Sequence, residues 1–469
     1  MPHDPKHDRL TRFPEGSIRE VWEIAYPLML AAISGNLMMF CDRLILAHYS
    51  THAMDAAVSA GMTCAIFLYG AMGISAIAEV FVGQYNGAKQ KYKMGEPIWQ
   101  MIWFSLMTTV IFVPVALWGG QFFIAQEYMK DGLPFFQWIL FFGPLSPLFG
   151  AICAFFIGRG RTRIVFIITV LGNIINLLLD LILVFGIEGW LEPMGTKGAA
   201  IATVTAEAIQ VLILFKVFLN NNNRKIYGTK KFHFKFPEFW KCIKIGTPNS
   251  VGHMIEIAAW ALQLNLIAKV SKDHITVFAI AQSILILFAF TSDGMQKAVI
   301  TISANFLGAK RSSMVRKTIY SSLKLHLLFV VIIAIPLVIY PYPLLHTFLP
   351  ENGVHAGSLL ETVFSYTRIG LIWIWVFFIF DGITWILAGV FTAAGDTKFT
   401  MIMNAIAAWA FSIVPVYLLV VKAGHSPVAT CQIVAFYAFL NCICFFLRFR
   451  RHKWRTKQII SSAETIVEA

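Results

Sequence analysis

Charge is scarce in this 469-residue chain: 13% of its residues are Asp, Glu, Lys or Arg, against 58% hydrophobic. A soluble domain carries roughly 25% charged residues. The shortage excludes an ordinary water-soluble fold and points to a polytopic membrane protein. Cysteine is also sparse. The seven (Cys41, Cys64, Cys153, Cys242, Cys431, Cys442 and Cys444) sit in apolar stretches or at their ends without paired metal spacing, which predicts free thiols and no metal cluster. The first twenty residues hold no apolar core followed by a small-residue cleavage site, so no signal peptide is expected. Nothing resembles a phosphate-cradling nucleotide loop, which argues against ATP as the driving force and against a cofactor. The formal charge of +13 does not indicate nucleic acid, because the basic residues are confined to loops and termini.

What is abundant is apolar length. Runs long enough to span a bilayer fall near 22–47, 53–82, 98–118, 135–157, 164–185, 199–218, 245–270, 276–306, 322–340, 362–391, 400–421 and 428–447, which predicts an all-α fold of twelve transmembrane helices. Basic residues crowd alternate connections: Lys89, Lys91 and Lys93; Arg159, Arg161 and Arg163; Arg224 to Lys235; Lys310, Arg311, Arg316 and Lys317; and Arg448 to Lys457. The positive-inside rule then places both termini and the 220–241 linker in the cytoplasm. That linker is the one long polar break. It divides an amino-terminal lobe (21–219) from a carboxy-terminal lobe (242–449), with tails over 1–20 and 450–469.

The lobes are repeats. An offset of 221 carries Pro27 onto Pro248, Gly73 onto Gly294, and Gly87-Ala88-Lys89 onto Gly308-Ala309-Lys310. Further on, an offset of 235 carries Gly160 and Thr162 onto Gly395 and Thr397, which places about 14 extra residues in the second half, expected within 341–358. Six spans per lobe give both repeats one topology, so they relate by a pseudo-two-fold axis along the membrane normal and enclose a central cleft. Pro27 and Pro248 each fall early in the first helix of a lobe, remove a backbone hydrogen bond, and mark candidate hinges.

Acids inside apolar helices are costly, about 2.5 to 3.5 kcal/mol or more at the helix centre, and are site candidates by default. Asn176 and Asp180 lie four apart and so share a helix face. Asp42 sits in the first span beside Arg43; Glu256 shares a face with His253 and Trp260; Asp381 has Trp385 one turn on, an indole suited to a lipophilic cation. The plainer alternatives are a polar pair joining helices five and six, an interfacial Asp42–Arg43 pair, and a structural His253–Glu256 pair. Asp293 and Lys297 read as a self-satisfying ion pair, and Glu79 and Glu207 as acids near the ends of helices two and six, either on solvated faces or in an ion path.

Taken together, Pro27, Asp42, Gly83-Gln84-Tyr85-Asn86-Gly87-Ala88, Gly160-Arg161-Thr162-Arg163, Asn176-xxx-Asp180 with Gly198-Ala199-Ala200-Ile201-Ala202-Thr203, Pro248-x7-Glu256, Asn305-Phe306-Leu307-Gly308-Ala309 and Asp381-x14-Asp396 resemble the MATE (multidrug and toxic compound extrusion) family of the MOP flippase superfamily. The resemblance runs from about Ile18 to Phe449. It implies a secondary active antiporter that exports cationic or lipophilic organic compounds in exchange for Na+ or H+, rather than an enzyme. It implies a coupling site in the amino-terminal lobe, onto which Asp42, Asn176, Asp180 and Thr203 map, with the Ala199 carbonyl one turn before Thr203; Na+ at these oxygens is the one metal expected. The NorM-like branch implicates the other lobe instead, onto which Glu256 and Asp381 map, and this chain carries both sets. The expected partners are small organic cations and membrane lipid, around a monomer in a bacterial inner membrane. The alternative is a flippase of lipid-linked saccharides, which would need basic residues in the cleft.

Overall fold

A computed structural model describes residues 9–349, 358–455 and 459–460. Among these, twelve spans occur in the expected order: α1 (Ile18–Tyr49), α2 (Thr51–Gly87), α3 (Lys91–Trp118), α4, α5 (Thr162–Phe185), α6 (Gly195–Phe218), α7 (Phe236–Ala268), α8 (Lys272–Gly308), α9 (Ser312–Ile339), α10 (Glu361–Ala393), α11 (Thr397–Lys422) and α12 (Val428–Arg450). α4 is a broken helix, Gln126–Phe141 followed by Leu145–Ile157 with a 42° bend. Gly143-Pro144 lies at the break, where proline has no N–H to carry the ladder on. Pro27 and Pro248 lie buried inside α1 and α7.

Two expectations need adjustment. α7 begins at Phe236 rather than near 245, because Lys241 and Lys244 end the apolar run while the helical ladder continues past the membrane edge. The remaining linker is a short helix, Asn221–Tyr227, and an extended stretch laid along α3. Gln100 grips that stretch twice, donating from Nε2 to the His233 carbonyl (3.0 Å) and accepting the Lys235 N–H at Oε1 (2.9 Å). The extra segment of the second half contains a short helix, Tyr342–Phe348. Residues 350–357 of it lie outside the described residues.

The repeat extends to the backbone. Lys89 and Lys310, equivalent at the offset of 221, both take left-handed conformations (φ 62° and 58°) that end α2 and α8. Gly160 and Gly395, equivalent at 235, do the same after α4 and α10 (φ 69° and 73°). A left-handed residue is the usual way to turn the chain out of a helix, and it costs glycine nothing.

The lobes join through the halves of their helices nearest the basic loops. One buried apolar cluster draws on both lobes there, with Val21, Phe81 and Phe155 packed among Val299, Phe306 and Phe391. Farther from the basic end the clusters separate: Cys64, Phe136 and Val204 belong to one lobe alone, and Phe278, Leu371 and Val434 to the other. Ser250 Oγ of α7 donates to the Gly70 carbonyl of α2 at 2.6 Å, midway along both helices. Toward the basic end, Gly83 faces Ala304, and Gly87 and Gly308 lie directly against backbone of the opposite lobe.

Candidate coupling and substrate sites

In the amino-terminal lobe, α1 packs along α5 and α5 along α6. Helical periodicity therefore turns Asp42, Asn176, Asp180 and Thr203 toward one point. Asn176 and Asp180 are buried, and Asp42 is half-buried. Asp42 and Asp180 are near enough to act on each other electrostatically. With its amide nitrogen toward Asp42, Asn176 donates to Oδ1 at 3.0 Å while its oxygen accepts the Thr203 N–H at 3.2 Å. Thr203 Oγ1 donates to the Ala199 carbonyl at 3.0 Å, the back-bond a helical threonine makes one turn up its own helix. Arg43, the sequence neighbour of Asp42, is exposed.

This arrangement has a chemical consequence. Two buried carboxyls side by side carry charge at a cost that a proton on one of them relieves. The amide and carbonyl oxygens that would ligate a hard cation each accept one hydrogen bond, Asn176 Oδ1 from the Thr203 N–H and the Ala199 carbonyl from Thr203 Oγ1, and each keeps a second lone pair. Asp180 Oδ1 is buried and has no hydrogen-bond partner. Two residues the sequence reading passed over brace the site: Asn173 Nδ2 donates to Ser34 Oγ at 2.7 Å, tying α5 to α1 one turn away. Asn173 lies three before Asn176 on the same face, and that spacing was the available signal.

In the carboxy-terminal lobe the predicted residues again converge. Trp385 Nε1 donates to Asp381 Oδ1 at 3.1 Å, and the His253 ring stacks on that indole with centroids 5.6 Å apart. The Trp385 face expected to receive a lipophilic cation is thus partly occupied by His253. His253 Nδ1 and Glu256 Oε2 are 4.0 Å apart, a loose pair rather than a tight one. Tyr437, which no spacing in the sequence linked to this site, donates its hydroxyl to Glu256 Oε1 at 3.3 Å. Its ring meets Trp260 edge-on, with centroids 6.5 Å apart. Tyr437 arrives from α12 because α12 packs along α10; only the tertiary fold brings it here. The Trp260 indole also stacks on Phe278 and stands edge-on to Phe377, giving Glu256 aromatic walls. The other acid of the motif, Asp396, is structural. It takes two bonds from Arg448 at 2.7 and 3.0 Å and is buried.

Comparison with known proteins is consistent in kind. The MatE family profile matches residues 27–182 and 254–418. A probable multidrug resistance protein NorM of Synechocystis sp. is 22% identical over 86% of this chain and 88% of its own length. A protein of that description from Neisseria meningitidis serogroup B is 24% identical over 86% and 87%. Among solved structures, a MATE transporter in complex with MaL6 superposes with a TM-score of 0.84 at 14% identity, covering 96% of this chain and 98% of that one. An outward-facing multidrug resistance MATE transporter of the MOP superfamily superposes with a TM-score of 0.83 at 15% identity, covering 94% and 96%.

Proposed function

This chain belongs to the MatE family, and from that premise we propose that it is a secondary antiporter exporting lipophilic organic cations in exchange for protons. The relatives named for multidrug resistance support the export reading. The basic loops support an orientation with both termini and the linker in the cytoplasm. In that orientation the lobes are joined in their cytoplasmic halves, and the conformer faces outward.

The choice of proton over sodium rests on one observation, the pairing of two acids, Asp42 and the buried Asp180, at one point of the amino-terminal lobe. A proton entering from outside neutralises this pair. Glu256 and Asp381, walled by Trp260, Trp385 and Tyr437, offer negative charge and aromatic faces to a cationic substrate. Proton binding and substrate binding then oppose each other through the two lobe arrangements, and linkage makes the opposition reciprocal. Pro27 and Pro248 supply bendable points in the first helix of each lobe. The cleft acids disfavour a flippase for pyrophosphate-linked sugars, whose headgroup asks for basic residues.

The test is dye export from proteoliposomes under a proton gradient alone or a sodium gradient alone, with Asp180→Asn beside the wild type. Export driven by protons and lost in the variant supports the reading. Export driven only by sodium overturns the choice of ion, and an unaffected variant moves coupling to Glu256 and Asp381.

A further inference from the structure

Glu79 takes no part in either lobe's acid cluster, yet it is a carboxyl buried in the membrane-spanning part of the protein. It lies near the end of α2 and is 6% exposed, and its Oε1 is buried without a hydrogen-bond partner among the described residues. The end of α2 that carries it packs against α8 of the other lobe, and the charged groups that act on it come from there. They are Lys297 and Asp293 of α8, whose side chains are bonded to each other at 2.9 Å (Lys297 Nζ to Asp293 Oδ2). Cys153 of α4 is the further titratable group facing this cluster. The surroundings are otherwise the apolar cluster shared by the lobes, including Val80, Ile98 and Met295. Asp293 and Lys297 are themselves partly exposed, with side-chain exposures of 34% and 39%, whereas Glu79 is enclosed.

The charge count is uneven. Two carboxyls share one ammonium, and that ammonium makes its close bond to Asp293. An ionised Glu79 would leave a buried negative charge with an unmet oxygen, a costly state in a low-dielectric interior. A proton on Glu79 balances the cluster. Glu79 belongs to one lobe and the groups that face it across the seam to the other, so the cluster exists only while the cytoplasmic halves are together. Parting them exposes Glu79 to cytoplasmic water and removes both neighbours at once.

We propose that Glu79 is a second proton-binding site, formed with Asp293 and Lys297 across the lobe seam, which holds its proton while the cytoplasmic side is closed and releases it when that side opens. This deepens the reading of the protein as a proton-driven exporter and rests on it. It adds a proton released at the seam to the one bound inside the amino-terminal lobe. A purely structural role predicts the opposite behaviour on substitution, because glutamine has the shape of a protonated glutamate and would serve the packing equally well.

The experiment uses the full-length protein in lipid nanodiscs. Infrared difference spectra between acidic and alkaline buffer follow the carboxylic C=O stretch in wild type, Glu79→Gln, Glu79→Asp and Lys297→Met. Proton-driven dye export and dye affinity are measured on the same preparations. One component of the titrating carboxyl band should be present in wild type and Glu79→Asp, missing in Glu79→Gln while the bands of the other carboxyls remain, and displaced in its titration by Lys297→Met. Glu79→Gln should export about tenfold more slowly at unchanged dye affinity, within the range of typical coupling between sites. An identical carboxyl band in wild type and Glu79→Gln overturns the proposal, as does wild-type export by Glu79→Gln. If the wild type moves no dye under any proton gradient, the export reading fails while the infrared comparison still decides whether Glu79 binds a proton.

Discussion

Gln84 of α2 and Asn305 of α8 occupy equivalent positions in the two repeats, 221 residues apart, and each reaches across to the other lobe in the same way. Gln84 Nε2 donates to the Ala393 carbonyl at 2.8 Å, and Asn305 Nδ2 donates to the Gly158 carbonyl at 3.0 Å. Ala393 and Gly158 are themselves equivalent, at the second offset of 235. Their backbones reciprocate too: the Asn305 carbonyl abuts Gly87, and the Gln84 carbonyl abuts Gly308. The closure at the basic-loop end is therefore a two-fold symmetric latch made of amide-to-carbonyl bonds and glycine-to-carbonyl contacts.

Glycine at 87 and 308 is a steric requirement of the closed state. A Cβ at either position would overlap a carbonyl oxygen of the opposite lobe, and backbone packed on both sides has little room to give. Gly87→Ala or Gly308→Ala should disfavour closure by about 1 to 3 kcal/mol, the usual cost of overpacking. That is roughly a 5- to 150-fold shift toward an arrangement parted at the basic-loop end. Electron–electron distance measurements between labels on the basic-loop ends of α2 and α8 should show a longer population in either variant. A distribution like wild type would mean that the lobes close by another geometry.

The two amides should not be equally important. Gln84 makes the single inter-lobe bond named above, whereas Asn305 also donates to the Thr301 carbonyl at 2.8 Å and accepts from Asn86 Nδ2 at 2.7 Å. Gln84→Leu should weaken closure by about 1 kcal/mol, and Asn305→Leu by more, because it also strands the Asn86 amide. The same labelled pair reads both. Equal effects would argue that the symmetric bonds alone carry the closure.

Much of this was legible in the chain. The twelve spans, the linker and the offsets of 221 and 235 follow from hydropathy and from glycine and proline positions that repeat because both lobes need the same bends. Asp42, Asn176, Asp180 and Glu256 stood out because an acid or amide inside an apolar helix is costly. Tyr437 and Ser34 did not stand out, since a tyrosine or serine inside a membrane helix costs little and nothing in its own helix marks its partner. The latch was half visible: Gly87 and Gly308 matched as repeat positions, but that each faces the other lobe's carbonyl is a property of docking, which no spacing within one helix encodes. The start of α7 was missed because hydropathy reports the membrane edge, while the helix continues beyond it.

Tyr437 offers a way to separate charge from packing at the carboxy-terminal site. Tyr437→Phe removes the 3.3 Å bond to Glu256 and keeps the ring against Trp260. Loss of one such bond is worth about 1 kcal/mol, so affinity for a cationic dye should change by roughly 5-fold. A neutral lipophilic substrate should bind as before. Trp260→Ala, which removes the wall itself, should weaken both. Equilibrium dye binding in nanodiscs makes the comparison, and equal losses for cationic and neutral ligands in Tyr437→Phe would assign Tyr437 to packing alone.

The Asp396–Arg448 pair is the place where removing one charge should damage stability rather than transport. Asp396 is buried, and Arg448 Nε and Nη2 both donate to its Oδ2, fixing the carboxy-terminal end of α12 to the start of α11. Arg448→Met deletes the cation and leaves the carboxylate enclosed without it. Breaking a buried pair from one side costs about 3 to 5 kcal/mol. The melting temperature should drop sharply, and adding Asp396→Asn should recover much of the loss, because the buried charge is then gone as well. The recovery is the informative part. If the double variant melts no higher than Arg448→Met, the arginine acts through its stem and its contact over the Phe399 ring, 4.9 Å to the centroid, rather than through the carboxylate.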